Sequence, residues 1–109
     1  MKKKIIMTEL AQEQWEEQRQ ATANAVLLDV RTEEEFNAKH IPGASMIDIR
    51  QPQAFMEAAQ ALDKDKEYFI YCRSGARSAQ ACQVLDQLGV AATYNLKGGI
   101  LAWTGEVVE

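Results

Sequence analysis

The strongest constraint on this chain is the alternation of short, densely apolar runs with longer stretches that are polar or amphipathic. Ala25 to Val30 (AVLLDV) is a continuous apolar run closing on Asp29-Val30-Arg31, and Glu67 to Tyr71 (EYFIY) is aromatic and β-branched. A strand with one wet face alternates apolar and polar residues. A run that is apolar throughout is instead buried on both faces, as in a parallel sheet covered by helices. The intervening segments carry helix signals. Thr8 and Glu9 supply a cap and a negative first turn for a helix to about Gln20, with a weak apolar face of Leu10, Ala11 and Trp15. Thr32-Glu33-Glu34-Glu35 is a capping box before a short helix through about Lys39, stopped by Ile41-Pro42-Gly43. Pro52 sits at the first turn of a helix over Gln53 to Leu62, and Ala76 to Leu88 is a helix with Gly89 as its stop. Ile5-Ile6-Met7 is a short apolar start, Ala44 to Ile49 a third strand and Ala92 to Leu96 a last one. Lys97-Gly98-Gly99 then turns into a short helix over Ile100 to Trp103. Strands separated by helices imply a three-layer α/β/α domain with a largely parallel sheet.

At 109 residues the chain holds one core. A single domain over 1–109 is expected, with its core at about 5–104, and a monomer. The longest apolar run, Tyr68 to Cys72, is five residues, far short of the roughly 20 a bilayer helix needs. Met1-Lys2-Lys3-Lys4 resembles the charged start of an export signal, but only Ile5-Ile6-Met7 follows before Thr8 and Glu9, so no such signal is expected. With 16 acidic against 12 basic side chains and a net charge of -4, no basic stripe offers itself to nucleic acid. Two cysteines cannot build a disulfide framework, which points to a reducing, cytoplasmic setting with free thiols.

In a parallel sheet the C-terminal strand ends share one edge, where ligands bind. Asp29-Val30-Arg31, the loop from Cys72 and Lys97-Gly98-Gly99 all follow predicted strands and converge on that rim. Cys72 is the chemically telling residue. It ends a buried strand and opens the loop Cys72-Arg73-Ser74-Gly75-Ala76-Arg77 into a helix. Successive N–H groups of such a loop face one point, the helix N-terminus adds partial positive charge, and Arg73 and Arg77 add full charges. A free cysteine near pKa 8.5 is about 3% thiolate at pH 7. Lowering it to about 6.5 gives roughly three quarters thiolate, for about 2.7 kcal/mol. The bland alternative is a buried strand-end cysteine with no chemistry.

Four motifs, in this order and spacing, resemble the rhodanese-homology family and its single-domain thiosulfate sulfurtransferases. They are Leu28-Asp29-Val30-Arg31 with Glu34-Glu35-Phe36, His40-Ile41-Pro42-Gly43-Ala44, Cys72 to Ser78, and Gly98-Gly99-Ile100-Leu101-Ala102-Trp103. The resemblance spans about Thr8 to Trp103. It implies a five-stranded parallel sheet in the order 3-2-4-5-1, Cys72 as the sulfur carrier, and the loop backbone of Arg73, Ser74, Gly75, Ala76 and Arg77 as the anion cradle. Phosphatases and arsenate reductases of the same fold use Cys-x5-Arg. Here Arg77 closes after four intervening residues, a smaller ring that suits the terminal sulfur of a persulfide and disfavours phosphate chemistry. The activity implied is transfer of a sulfane sulfur from an anionic donor such as thiosulfate to a thiol or acceptor protein through a Cys72 persulfide, with no metal or organic cofactor. Arginine directly after the cysteine resembles the thiosulfate-using members. The alternative is a persulfide carrier or protein-docking module that does not turn over.

Cys82 lies ten residues after Cys72, roughly 9 Å beyond the helix start, too far to pair with it, and is read as core. His40, the only histidine, is read as part of a structural turn. Arg31 is expected to pair locally with Glu34 or Glu35, so that Asp29 and Arg31 serve as structural support, the alternative being that they brace the cysteine loop across the rim. Gly98 and Gly99 permit a tight turn and are candidates for a wall of the donor pocket. Trp103 is read as core packing.

Overall fold

The computed structural model describes residues 7–109. The lysine cluster and the Ile5-Ile6 start lie outside the described residues. Five strands and four helices alternate: β1 Met7–Leu10, α1 Gln12–Ala21, β2 Ala25–Asp29, α2 Glu33–Ala38, β3 Ser45–Met46, α3 Pro52–Gln60, β4 Glu67–Tyr71, α4 Ala76–Gln87 and β5 Ala92–Leu96. A 3-10 turn over Gly99–Ala102 follows. The sheet is parallel throughout, in the order β1-β5-β4-β2-β3, which read from the other edge is the expected 3-2-4-5-1. Among the described residues no helix is long and apolar enough to cross a membrane.

Side-chain alternation along the central strands builds two cores. Leu28, Val30, Tyr68, Ile70 and Cys72 face α3 and α4, where they meet Phe55, Ala59, Ala81, Cys82 and Leu85. Leu27, Phe69, Tyr71 and Leu96 point the other way, onto Trp15, Ile41 and Ile100. Trp15 is fully buried although α1 is otherwise polar. Its ring meets Phe69, Tyr71 and Trp103 edge-on at 5.9–6.5 Å, and its indole N–H donates to the Tyr94 carbonyl at 3.1 Å. Trp103 is half-buried in this cluster. One apolar anchor thus docks a helix whose sequence shows almost no apolar face.

Two sequence expectations fail at element edges. Thr8 and Glu9 do not cap a helix; they lie within β1, paired with Tyr94 and Asn95, and α1 begins at Gln12 after an Ala11 that makes no side-chain cap bond. A row of backbone hydrogen bonds along β5 outweighs one cap. The strand expected over Ala44 to Ile49 shrinks to Ser45–Met46. The amides of Ile47 and Ile49 still bond the carbonyls of Asp29 and Val30, but Asp48 turns its carboxylate onto the Arg50 amide and breaks the regular ladder.

Candidate active site

β4 is buried on both faces and delivers Cys72 to the C-terminal edge of the sheet, on the α4 side. The chain must then turn within three residues into α4. Gly75 makes this possible with φ +108, a left-handed conformation that a side chain strains against. The turn brings the Gly75 amide to 3.0 Å from Cys72 Sγ and the Ser78 hydroxyl to 3.3 Å. Cys72 itself is 1% exposed. Burial pushes its thiol up, but the Ser78 hydroxyl and the backbone N–H groups of Ser78, Gly75 and Ser74 outweigh that, so the balance lies below the ordinary cysteine value. The pull towards the anion therefore comes mainly from hydrogen-bond donors of its own loop and the helix it opens. Cys82 is the contrast: buried in the same core without such a cradle, its thiol is pushed up to about 12 by desolvation. Both cysteines are free.

The two loop arginines have different surroundings. Arg77 is clamped by Glu35 of α2 in a two-point ion pair, Nη1 to Oε1 at 2.9 Å and Nη2 to Oε2 at 3.0 Å. Glu35 also completes the predicted capping box, accepting from the Thr32 amide at 3.0 Å while Thr32 Oγ1 accepts from the Glu35 amide at 3.3 Å. The Arg77 hydrogen bond, working against partial burial and aided by Thr32, lowers the Glu35 carboxyl to about 2. Arg73 is exposed beside the loop, and among the described residues no carboxylate pairs with it. Ser74 and Ala76 are also exposed, and Gly75 is buried beneath them.

Gly98 and Gly99 lie directly against the cysteine loop. A Cβ on Gly99 would stand 2.3 Å from the Arg73 carbonyl oxygen and 2.6 Å from that of Cys72, and the residue has φ +61. This closeness lets the amides of Ile100 and Leu101 bond the carbonyls of Cys72 and Arg73 at 2.9 and 3.1 Å. With those carbonyls tied back, the loop is free to turn its N–H groups inward. Gly98, at φ +80, has Ala102 as its close neighbour.

Asp29 and Arg31 do not reach the sulfur. Arg31 pairs with Asp29, at 2.6 Å from Nη2 to Oδ2, and not with Glu34 or Glu35 as the sequence led us to expect. The two residues are consecutive same-side positions at a strand end, which favours the buried carboxylate over those on the next helix. Arg31 also donates to the Lys39 carbonyl at 2.7 Å and lies over the Tyr71 ring at 5.6 Å. Tyr71 in turn accepts from the Ile41 amide at 3.0 Å, so this cluster fixes the residue immediately before Cys72. His40 stacks on Phe36 and contacts its carbonyl, with its backbone paired to Val108.

Sequence reasoning missed Ser78 as a partner of the sulfur, Asn95 behind it and the role of Glu35 as holder of Arg77. Ser78 carries a usable signal, since it stands within the first turn of the helix that the loop opens. Asn95 carries another: it is a polar residue in a strand paired on both sides within the sheet. An apolar groove of about 360 Å³ between α3 and α4, lined by Pro52, Phe55, Met56, Gln80 and Val84, includes none of these residues. Cys72 and its hydrogen-bond donors lie at the strand ends, away from this groove.

Comparison with known proteins agrees with the geometry. The model of the rhodanese-like domain matches residues 9–106. The chain is 44% identical over 87 residues to the putative sulfurtransferase YtwF of Bacillus subtilis, covering 80% of this chain and 81% of that one. It is 42% identical over 82 residues to a sulfurtransferase of Allochromatium vinosum, covering 75% and 74%. A crystal structure of a rhodanese-like domain protein from Staphylococcus aureus superposes with a TM-score of 0.76 at 27% identity, covering 92% of this chain and 94% of that one.

Proposed function

Since this chain belongs to the rhodanese-like domain family of sulfurtransferases, we propose that it transfers a sulfane sulfur from a small anionic donor such as thiosulfate to a thiophilic acceptor, through a persulfide on Cys72. The observation that carries the proposal is the convergence of the Gly75 amide and the Ser78 hydroxyl on Cys72 Sγ, at 3.0 and 3.3 Å. In the first step the Cys72 thiolate attacks the outer sulfur of thiosulfate. A Cys72 S–S bond forms, the donor S–S bond breaks, and sulfite leaves with the electron pair. Arg73, exposed and without a carboxylate partner, meets the incoming dianion, while Arg77 stays on Glu35 and stiffens the loop. In the second step a thiolate, on a small molecule or an acceptor protein, or cyanide in an assay, attacks the outer sulfur of the persulfide. The electron pair of the broken bond returns to Cys72 Sγ, where the loop donors stabilise it. The sequence calls for no metal or organic cofactor in either step.

Incubation with thiosulfate followed by intact mass measurement tests the first step. Wild type gains one sulfur atom, and Cys72→Ala gains none; no gain in wild type, or equal gain in both, refutes the mechanism. The alternative reading is a persulfide carrier that loads but hardly turns over. Steady-state thiocyanate formation separates the two readings, because a carrier stops after one equivalent.

A further inference from the structure

Behind the cysteine loop a polar chain runs from Glu9, exposed on the edge strand, to the buried Asn95 and Ser78. Glu9 of β1, Asn95 of β5 and Ile70 of β4 occupy one register row, so their side chains point to the same side, towards α4. Asn95 is 0% exposed. Its Nδ2 donates to the Gly75 carbonyl at 3.2 Å and to Glu9 Oε2 at 3.3 Å. With two acceptors facing the amide nitrogen, the amide orientation is fixed and Oδ1 is left facing the Ser78 hydroxyl, at 2.5 Å.

The Ser78 hydroxyl therefore stands among three groups that can take a proton: Asn95 Oδ1 at 2.5 Å, the Gly75 carbonyl at 3.2 Å and Cys72 Sγ at 3.3 Å. It has one proton to give. The shortest contact is to Asn95. While Cys72 is a thiol this arrangement is fully satisfied, since Ser78 donates to Asn95 and the thiol S–H donates to Ser78 Oγ. A thiolate has no proton to give and needs one, so the same hydroxyl must turn to it and leave Asn95 Oδ1 buried without a donor.

We propose that Asn95 is a positioning residue for the sulfur chemistry: it holds the Ser78 hydroxyl proton while Cys72 carries no charge, and yields it to Cys72 Sγ when that sulfur becomes an anion. The inference rests on the reading of Cys72 as the sulfur-carrying residue. In the loaded state the inner sulfur is bonded on both sides and uncharged, so the hydroxyl returns to Asn95. At hand-over the S–S bond breaks, its electron pair passes to Sγ, and the hydroxyl swings back as the charge develops. Asn95 thus makes the Ser78 bond to sulfur available in the transition state more than in the loaded ground state. The charged and titratable groups around this centre are Arg73 and Arg77 beside the loop, Glu35 of α2 and Asp48 facing Arg77, Glu9 behind Asn95, and Cys82 on α4.

The test is a pH titration of Cys72 followed by NMR of protein labelled at the cysteine 13Cβ, which reads ionisation without any sulfur donor. Asn95→Ala releases the hydroxyl to the sulfur and lowers the Cys72 midpoint by about one pH unit, a tenfold gain in ionisation constant, while Ser78→Ala raises it by a similar amount. In a Ser78→Ala background, Asn95→Ala has no further effect. A midpoint that stays or rises in Asn95→Ala, as loosening of the Gly75 carbonyl alone produces, overturns the proposal. So does an equal fall with and without Ser78. Where Asn95→Ala does not fold, Asn95→Leu fills the space without an acceptor and carries the same expectation. A chain that titrates as stated yet gains no sulfur from thiosulfate refutes the transfer mechanism and leaves this inference standing.

Discussion

Glu35→Gln isolates the charge that holds Arg77, because glutamine at this position still closes the capping box with Thr32 and has nearly the same shape. In the folded chain the Glu35 carboxyl is lowered from 4.5 to about 2, with Arg77 as the leading cause. At about 1.4 kcal/mol per pH unit this difference corresponds to about 3 kcal/mol. The pair is 17% and 25% exposed, and solvent screening trims the expectation to about 2 kcal/mol at neutral pH. The direction with pH follows from the depressed value: the stabilisation is complete above 4.5 and is lost as pH falls through about 2. A protonated Glu35 resembles glutamine. Urea unfolding of both proteins from pH 7 to pH 2.5 should therefore give stability curves separated by about 2 kcal/mol at pH 7 that approach one another below pH 4. Subtracting the two curves cancels the other carboxylates. A gap that stays constant with pH, or one below about 0.5 kcal/mol at pH 7, refutes the argument that this ion pair anchors α2 to the loop. The same variant frees Arg77, so its KM for thiosulfate should change more than its kcat if Arg77 is kept from the donor by Glu35.

Three further outcomes follow from the geometry. Gly99→Ala places a methyl 2.3 Å from the Arg73 carbonyl oxygen at φ +61, and should cost about 2–4 kcal/mol in thermal denaturation together with most of the sulfur loading. Trp15→Ala removes the fully buried anchor of α1 and should cost about 3–5 kcal/mol in chemical unfolding, with no change in Cys72 ionisation in the folded fraction. Iodoacetamide at pH 8 should modify Cys72 much faster than Cys82, because both are buried but the Cys72 thiol is lowered by its hydrogen-bond donors while that of Cys82 is pushed up to about 12; peptide mass mapping that finds Cys82 labelled at a comparable rate contradicts the assignment of their environments.

The parts of this fold that could be read from sequence are those specified by local pattern. AVLLDV and EYFIY declare strands buried on both faces, and the capping box at Thr32 declares a helix start, because each depends on neighbours a few residues apart. β1 could not be read that way: Thr8 and Glu9 carry a genuine cap signal, and only their pairing with Tyr94 and Asn95 overrides it. The burial of α1 is likewise hidden, since a single tryptophan supplies the contact that a full apolar stripe normally provides. At the site, Cys72 and its loop are visible because chemistry and turn requirements coincide in seven consecutive residues. The partners beyond the loop are not. Asn95 and Glu9 come from two further strands, and Glu35 holds Arg77 across 42 positions of sequence, separations that only the folded topology closes.

The seam between β1 and β5 has a consequence for how the reactive centre comes into being. Met7–Leu10 must wait for Ala92–Leu96 before it has a partner in the sheet, and the carbonyls of Cys72 and Arg73 must wait for Ile100 and Leu101 before they are tied back. Contacts this distant in sequence form late, since the loop-closure cost is met before any bond repays it. During synthesis on the ribosome Cys72 therefore emerges before the segments that tie back its loop. On the proposed function, the chain can accept sulfur only once its last strand and the turn after it have docked.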